Sequence, residues 1–123
     1  MSEAANREWR FYLEDMIRFA EAALAYTEDL DQEAFVRSGL NYDATLRNLE
    51  LIGEAARNIP EAARALAPDI PWRQMVATRN RLIHGYLGID NDTLWSIIRD
   101  DLPALLEKLL RMKSRLDAVP LKR

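Results

Sequence analysis

Apolar side chains recur every three or four residues along almost the whole chain, and no segment alternates apolar and polar residues with the β-branched enrichment of a strand. That period leaves helices as the only regular structure available, so the sequence predicts an all-α fold. Glycine and proline are few, 4 and 5 residues, and apart from Gly53 and Pro103 they fall outside the periodic runs, where they act as stops. With 123 residues the chain has enough length to bury a hydrophobic core without covalent staples, and it reads as one domain over residues 1–123.

Taken in order, the pattern predicts a first helix over residues 3–28, with Trp9, Leu13, Met16, Ile17, Ala20, Ala23 and Leu24 on its inner face and a charged, solvated outer face. Asp31 is the expected N-cap of a short helix ending at Arg37, and Gly39 with Asn41 marks a turn. A second long helix follows over residues 42–58, its inward stripe being Thr45, Leu49, Ile52, Ala56 and Ile59. Gly53 costs about 1 kcal/mol relative to Ala inside a helix, so its presence predicts a neighbour that approaches closely. Pro60 suits the first position of a short helix reaching Leu66. Pro71-Trp72 opens a helix running to about residue 84, with Met75, Val76, Leu82 and Ile83 inward. Asp90 or Asn91 caps the next, whose short connection predicts an antiparallel neighbour. Pro103 should kink or restart that run, and Leu105, Leu106, Leu109, Leu110, Met112 and Leu116 extend its stripe.

There is no cysteine, which excludes disulfides and thiolate metal sites. The sequence shows no apolar targeting segment and no run long enough to span a bilayer, so a cytoplasmic protein without a membrane partner is the expectation. A net charge of -3 argues against a general nucleic-acid coat protein, but the charge is uneven: residues 1–61 sum to -7 and residues 62–123 to +4. Of the 17 cations 14 are arginine, a bias that fits bidentate phosphate contacts or simply codon usage.

The basic half contains Arg79-Asn80-Arg81-Leu82-Ile83-His84-Gly85-Tyr86, where the only histidine meets two arginines, a glycine and a tyrosine. One reading is a helix C-terminus, with cations complementing the macrodipole and Gly85 as the left-handed cap. The other is phosphate chemistry, since arginine grips phosphate oxygens and imidazole, with a reference pKa near 6.5, changes charge near neutral pH. At about 100° per residue, Asn80 lies on the same helix face as His84 and within reach to orient it, whereas Arg79 is turned away by roughly 140°.

Arg79-x4-His84-x-Tyr86 is similar to the signature of the HepT-like toxins, a branch of the HEPN (higher eukaryotes and prokaryotes nucleotide-binding) helical domains. Asn48-Leu49-Glu50-Leu51-Ile52-Gly53-Glu54-Ala55-Ala56, Ile70-Pro71-Trp72, Ile89-Asp90, and Trp95 followed by Asp101-Leu102-Pro103 resemble that family's recurring blocks in the same order. The resemblance implies an antiparallel bundle of four to six helices and a homodimer whose two signatures line one cleft. It also implies an RNA endonuclease needing no metal and no cofactor. By position it makes Arg79 and His84 the catalytic pair, Asn80 a supporting polar residue where the family often has Asp, and Tyr86 the site of AMPylation by a minimal nucleotidyltransferase antitoxin. Arg79 and Arg81 are the cations available to RNA. Because one histidine cannot act as base and acid at once, a dimer presenting two copies of His84 also suits the chemistry. A non-catalytic helical module that partners the nucleotidyltransferase is the alternative.

Three further features carry competing expectations. Glu50 and Glu54, one helical turn apart, fit either a metal pair or a solvated face. Trp9, Trp72 and Trp95 fit either base stacking or the core. Arg111, Lys113, Arg115, Lys122 and Arg123 extend an RNA track or form a solvated helix end.

Overall fold

The computed structural model describes residues 3–83 and 90–118. Among them every regular element is helical: α1 (Glu3–Thr27), α2 (Gln32–Arg37), α3 (Gly39–Arg57), α4 (Glu61–Arg64), α5 (Trp72–Ile83), α6 (Asn91–Ser96), a single π turn (Ile97–Asp101) and α7 (Leu102–Ala118). Since α6, the π turn and α7 follow without interruption, the described chain forms six continuous helical rods, an all-α bundle as the periodicity predicts.

The centre of the bundle is α1, which packs on α3 and α7, and α5 lies against the far side of α3. Trp9, Leu13, Met16, Ile17, Ala20 and Ala23 are buried along α1, and Thr45, Leu49, Ile52, Ala56 and Ile59 are buried along and just beyond α3, the two stripes expected from spacing. The outer face of α1 is less uniformly polar than its charges suggest, since Phe11 is 62% exposed. Leu105, Leu109 and Met112 close the core from α7, while Leu110, expected in the same stripe, is 43% exposed because it falls on the flank away from α1.

Three boundaries differ from the sequence pattern, each for a local reason. The helix expected from Tyr42 begins at Gly39, so Ser38 alone separates α2 from α3, its hydroxyl accepting from the Asn41 amide. Asn41 is not a turn residue: its side-chain amide donates to the Tyr26 carbonyl at 2.9 Å and ties the start of α3 to the end of α1. Pro60 is the N-cap of α4 rather than its first residue, and α4 ends at Arg64, short of Leu66. Arg64 folds back instead, donating to the Ile59 and Ala56 carbonyls at the end of α3 (3.0 and 2.9 Å). The expected kink at Pro103 takes the form of the π turn. Proline lacks a donor and crowds the carbonyl four residues earlier, here Arg99, and the widened turn, closed by Leu102 N–H donating to the Ile97 carbonyl, makes room for it.

The short connection after α5 does not make α6 its main neighbour. α6 packs on the π turn and α2, and α5 packs on α3. A small apolar cleft therefore opens beside α5, lined in part by Leu49, Met75, Ile97, Leu102 and Leu105. The close approach predicted at Gly53 is that of α5: a Cβ built there would lie 2.3 Å from the Arg79 Cβ and 2.7 Å from the Met75 carbonyl oxygen.

Candidate active site

Contact with Gly53 fixes where Arg79 can be. The last turns of α5 carry Arg79, Asn80 and Arg81, and because α3 and α5 nearly touch at Gly53, the Arg79 side chain leaves α5 along the surface of α3. There its guanidinium meets Glu54, with Nη2 to Oε1 at 2.7 Å, and its Nη1 donates to the Asn80 Oδ1 at 2.9 Å. The side chain is 20% exposed, and its Nε is buried without a hydrogen-bond partner among the described residues. A carboxylate on α3 and an amide on its own helix thus hold a partly buried cation in one orientation, with donors left over. Such a group can grip a phosphate without first losing rotamer freedom.

Asn80 is exposed and occupied by Arg79 through its carbonyl oxygen. Arg81, also exposed, lies on the opposite flank of α5, in a hollow shared with Thr93, Ser96 and Asp101. The structure therefore brings Arg79 and Asn80 together and separates both from Arg81. His84, Gly85 and Tyr86 lie outside the described residues, as do Gly88 and Ile89. Asp90, the first residue described beyond them, caps α6 through the Thr93 amide and hydroxyl, and these bonds hold its carboxyl below the usual carboxylate range.

Glu54 is the residue that spacing alone did not assign to the site. Its signal was present in the small-residue approach predicted at Gly53, but the arginine it meets lies 25 residues on and across a helix interface. Glu50 and Glu54, considered as a metal pair, instead each face arginine: Glu50 forms a close ion pair with Arg47, and Glu54 is shared between Arg79 and Arg57, the latter at 3.6 Å. No group of three or more candidate ligands that could hold a metal occurs among the described residues.

Trp9 and Trp72 are buried, and half-buried Trp95 packs on Phe35, with ring centroids 5.3 Å apart, under the Arg99 guanidinium. All three indoles belong to the core. On α7, Arg111 pairs with Glu107, and Lys113 pairs with Asp117, which Arg10 also reaches. The Lys113 bond holds the Asp117 carboxyl below its ordinary value and raises the Lys113 amine. Much of the described basic segment on α7 is thereby compensated internally, whereas Lys122 and Arg123 lie outside the described residues.

The sequence comparisons place this helical bundle among ribonucleases. Residues 16–112 match the ribonuclease HepT-like family, and the chain belongs to that family. It is 37% identical to a Thermococcus cleftensis protein named a probable ribonuclease HepT, over 88% of this chain and 98% of the relative. A Methanocaldococcus jannaschii protein provisionally named an RNase is 36% identical over 85% of this chain and 96% of its own length. A similarly named Caldanaerobacter subterraneus protein is 32% identical over 78% and 86%. No solved structure gives a significant match. Among the described residues, no helix is long and apolar enough to cross a membrane.

Proposed function

We propose that this chain is a single-domain, metal-independent RNA endonuclease that acts as a homodimer and serves as the toxin of a toxin–antitoxin pair in the cytoplasm. The observation that carries the reading is the bracing of Arg79 by Gly53, Glu54 and Asn80 one helical turn before the segment that contains His84.

In this mechanism the 2′-hydroxyl attacks the adjacent phosphorus. One imidazole takes its proton, the 5′-oxygen leaves with a proton from a second imidazole, and the products are a 2′,3′-cyclic phosphate and a 5′-hydroxyl. Both imidazoles are His84, one from each protomer. Arg79 remains cationic throughout and stabilises the negative charge that gathers on the non-bridging oxygens of the transition state. Asn80 orients His84, and Arg81 contacts RNA on the other flank of α5. Tyr86 is the residue that a minimal nucleotidyltransferase antitoxin modifies. An added AMP brings bulk and a phosphodiester charge to a cationic cleft and so opposes RNA by sterics and by repulsion.

The test is RNA cleavage and intact mass for purified wild type and His84→Ala, in chelator, with and without the cognate nucleotidyltransferase and ATP. The expected result is cleavage by unmodified wild type only, lost together with a gain of AMP mass at Tyr86. No cleavage by unmodified wild type, with AMP still added at Tyr86, would replace the nuclease with a non-catalytic module that partners the nucleotidyltransferase.

A further inference from the structure

On the flank of α5 away from Arg81, an open hollow of about 680 Å³ is bounded by Arg57 at the end of α3, Arg64 on α4, and Arg73, Val76, Ala77 and Asn80 on α5. The four α5 residues are spaced as one helix face, so the hollow runs along the helix and ends at Asn80, the residue that also holds Arg79. Its lining contains three guanidinium groups and no carboxylate, whereas the hollows beside it contain Glu61 or Asp101.

The cations are poised differently. Arg64 is fixed, with two of its N–H groups on the Ile59 and Ala56 carbonyls and its guanidinium 5.8 Å from the centre of the Trp72 ring. Arg57 shares Glu54 with Arg79, leaving two cations to one carboxylate. Arg73 is exposed and has no partner among the described residues, although Glu61 borders the neighbouring hollow that it also lines. Positive charge is therefore concentrated here on a protein whose net charge is -3.

We propose that this hollow binds the phosphate backbone of single-stranded RNA next to the scissile bond, with Arg57, Arg64 and Arg73 contacting consecutive phosphates and Val76 and Ala77 lying under the riboses. The proposal rests on the RNA-cleaving reading of Arg79. RNA is favoured over an acidic protein because the hollow is continuous with Arg79 through Asn80, so a strand whose phosphate is held by Arg79 runs directly into it. Guanidinium contacts to phosphates carry no base information, so the hollow adds affinity and fixes the path of the strand without selecting a sequence.

The test compares wild type with Arg57→Gln/Arg73→Gln, leaving Arg64 in place because it caps α3. Arg18→Gln/Arg37→Gln is the charge-matched control, both residues being exposed and remote from the hollow in sequence and in pairing. The readouts are anisotropy of a fluorescent oligouridylate across a salt series, and KM for a cleaved RNA. Each lost phosphate contact lowers the slope of log affinity against log salt by about 0.7 for single strands. The double variant should therefore lose about 1.4 in slope and bind about 25-fold more weakly at 0.1 M salt, with KM rising in parallel, while the control keeps the wild-type slope. Cleavage by wild type with slope and KM unchanged in the double variant would overturn the hollow and leave the nuclease standing. Loss of slope without cleavage by any form would support the hollow and remove the nuclease. An equal loss of slope in the control would reduce the effect to bulk charge. Unchanged RNA binding with lost binding to the nucleotidyltransferase would assign the hollow to that protein instead.

Discussion

Replacing Gly53 by alanine tests how the site is built. The added methyl would lie 2.3 Å from the Arg79 Cβ and 2.7 Å from the Met75 carbonyl oxygen, and neither atom is the free end of a flexible side chain. Restoring ordinary contact distances of about 3.5 Å or more requires α3 and α5 to part by roughly 1 Å. Alanine gains about 1 kcal/mol in helix propensity, but overpacking against backbone falls at the upper end of the usual 1–3 kcal/mol, about 3 kcal/mol here. The net loss is about 2 kcal/mol, or a fall in Tm of about 8 °C for a domain of this size. The same displacement carries the Arg79 guanidinium away from Glu54, and a misplacement of about 1 Å in a catalytic group costs on the order of 100-fold in rate. Thermal melts followed by circular dichroism at one protein concentration, together with RNA cleavage rates, measure both effects. A Gly53→Ala protein that melts no lower than wild type and cleaves as fast would show that α5 does not depend on the missing side chain.

Glu54→Gln should leave the melting temperature within a few degrees of wild type, because the ion pair is half-exposed and worth at most about 1 kcal/mol, yet lower kcat more than it raises KM by loosening Arg79; a pure KM effect in steady-state kinetics would count against bracing. Thr45→Val should raise stability by about 1 kcal/mol in urea titration, since the buried Thr45 hydroxyl has no hydrogen-bond partner among the described residues and valine keeps its shape. For Asp90, the carboxylate is the form that caps α6, and its folded pKa lies below the unfolded one. Its contribution is therefore present above the ordinary aspartate value of 3.8 and fades as pH falls through the lower folded value. Melting temperatures of wild type and Asp90→Ala should differ near pH 6 and converge at the acid end; a difference that persists unchanged below pH 2 would rule out the charged cap.

The long elements were readable because each had a face to bury. The stripe through Leu49, Ile52, Ala56 and Ile59 announces α3, but nothing in it fixes where the helix starts or how α4 ends. Those limits are set by the Ser38 cap, by Asn41 reaching the Tyr26 carbonyl and by Arg64 turning back on α3, and the last two are tertiary bonds. At Pro103 the sequence required relief of the Arg99 carbonyl without choosing among a kink, a new helix and a widened turn. The same limit applies to the site. Arg79 and Asn80 stand out by motif, and Gly53 announces a close neighbour, yet the pairing of Arg79 with Glu54 needs the α3–α5 crossing before it can be seen.

The π turn has a consequence for how such a chain can change length. A regular helix over residues 97–101 would accommodate one residue fewer, so a one-residue deletion there removes no loop and breaks no connection. The regular turn so formed would span nearly the same rotation as the π turn, so Leu105, Leu109 and Met112 would keep their places against α1 while Pro103 again crowds a carbonyl. The same deletion within a regular turn of α7 would find no such slack and would rotate the residues beyond it by about 100°, carrying them off α1.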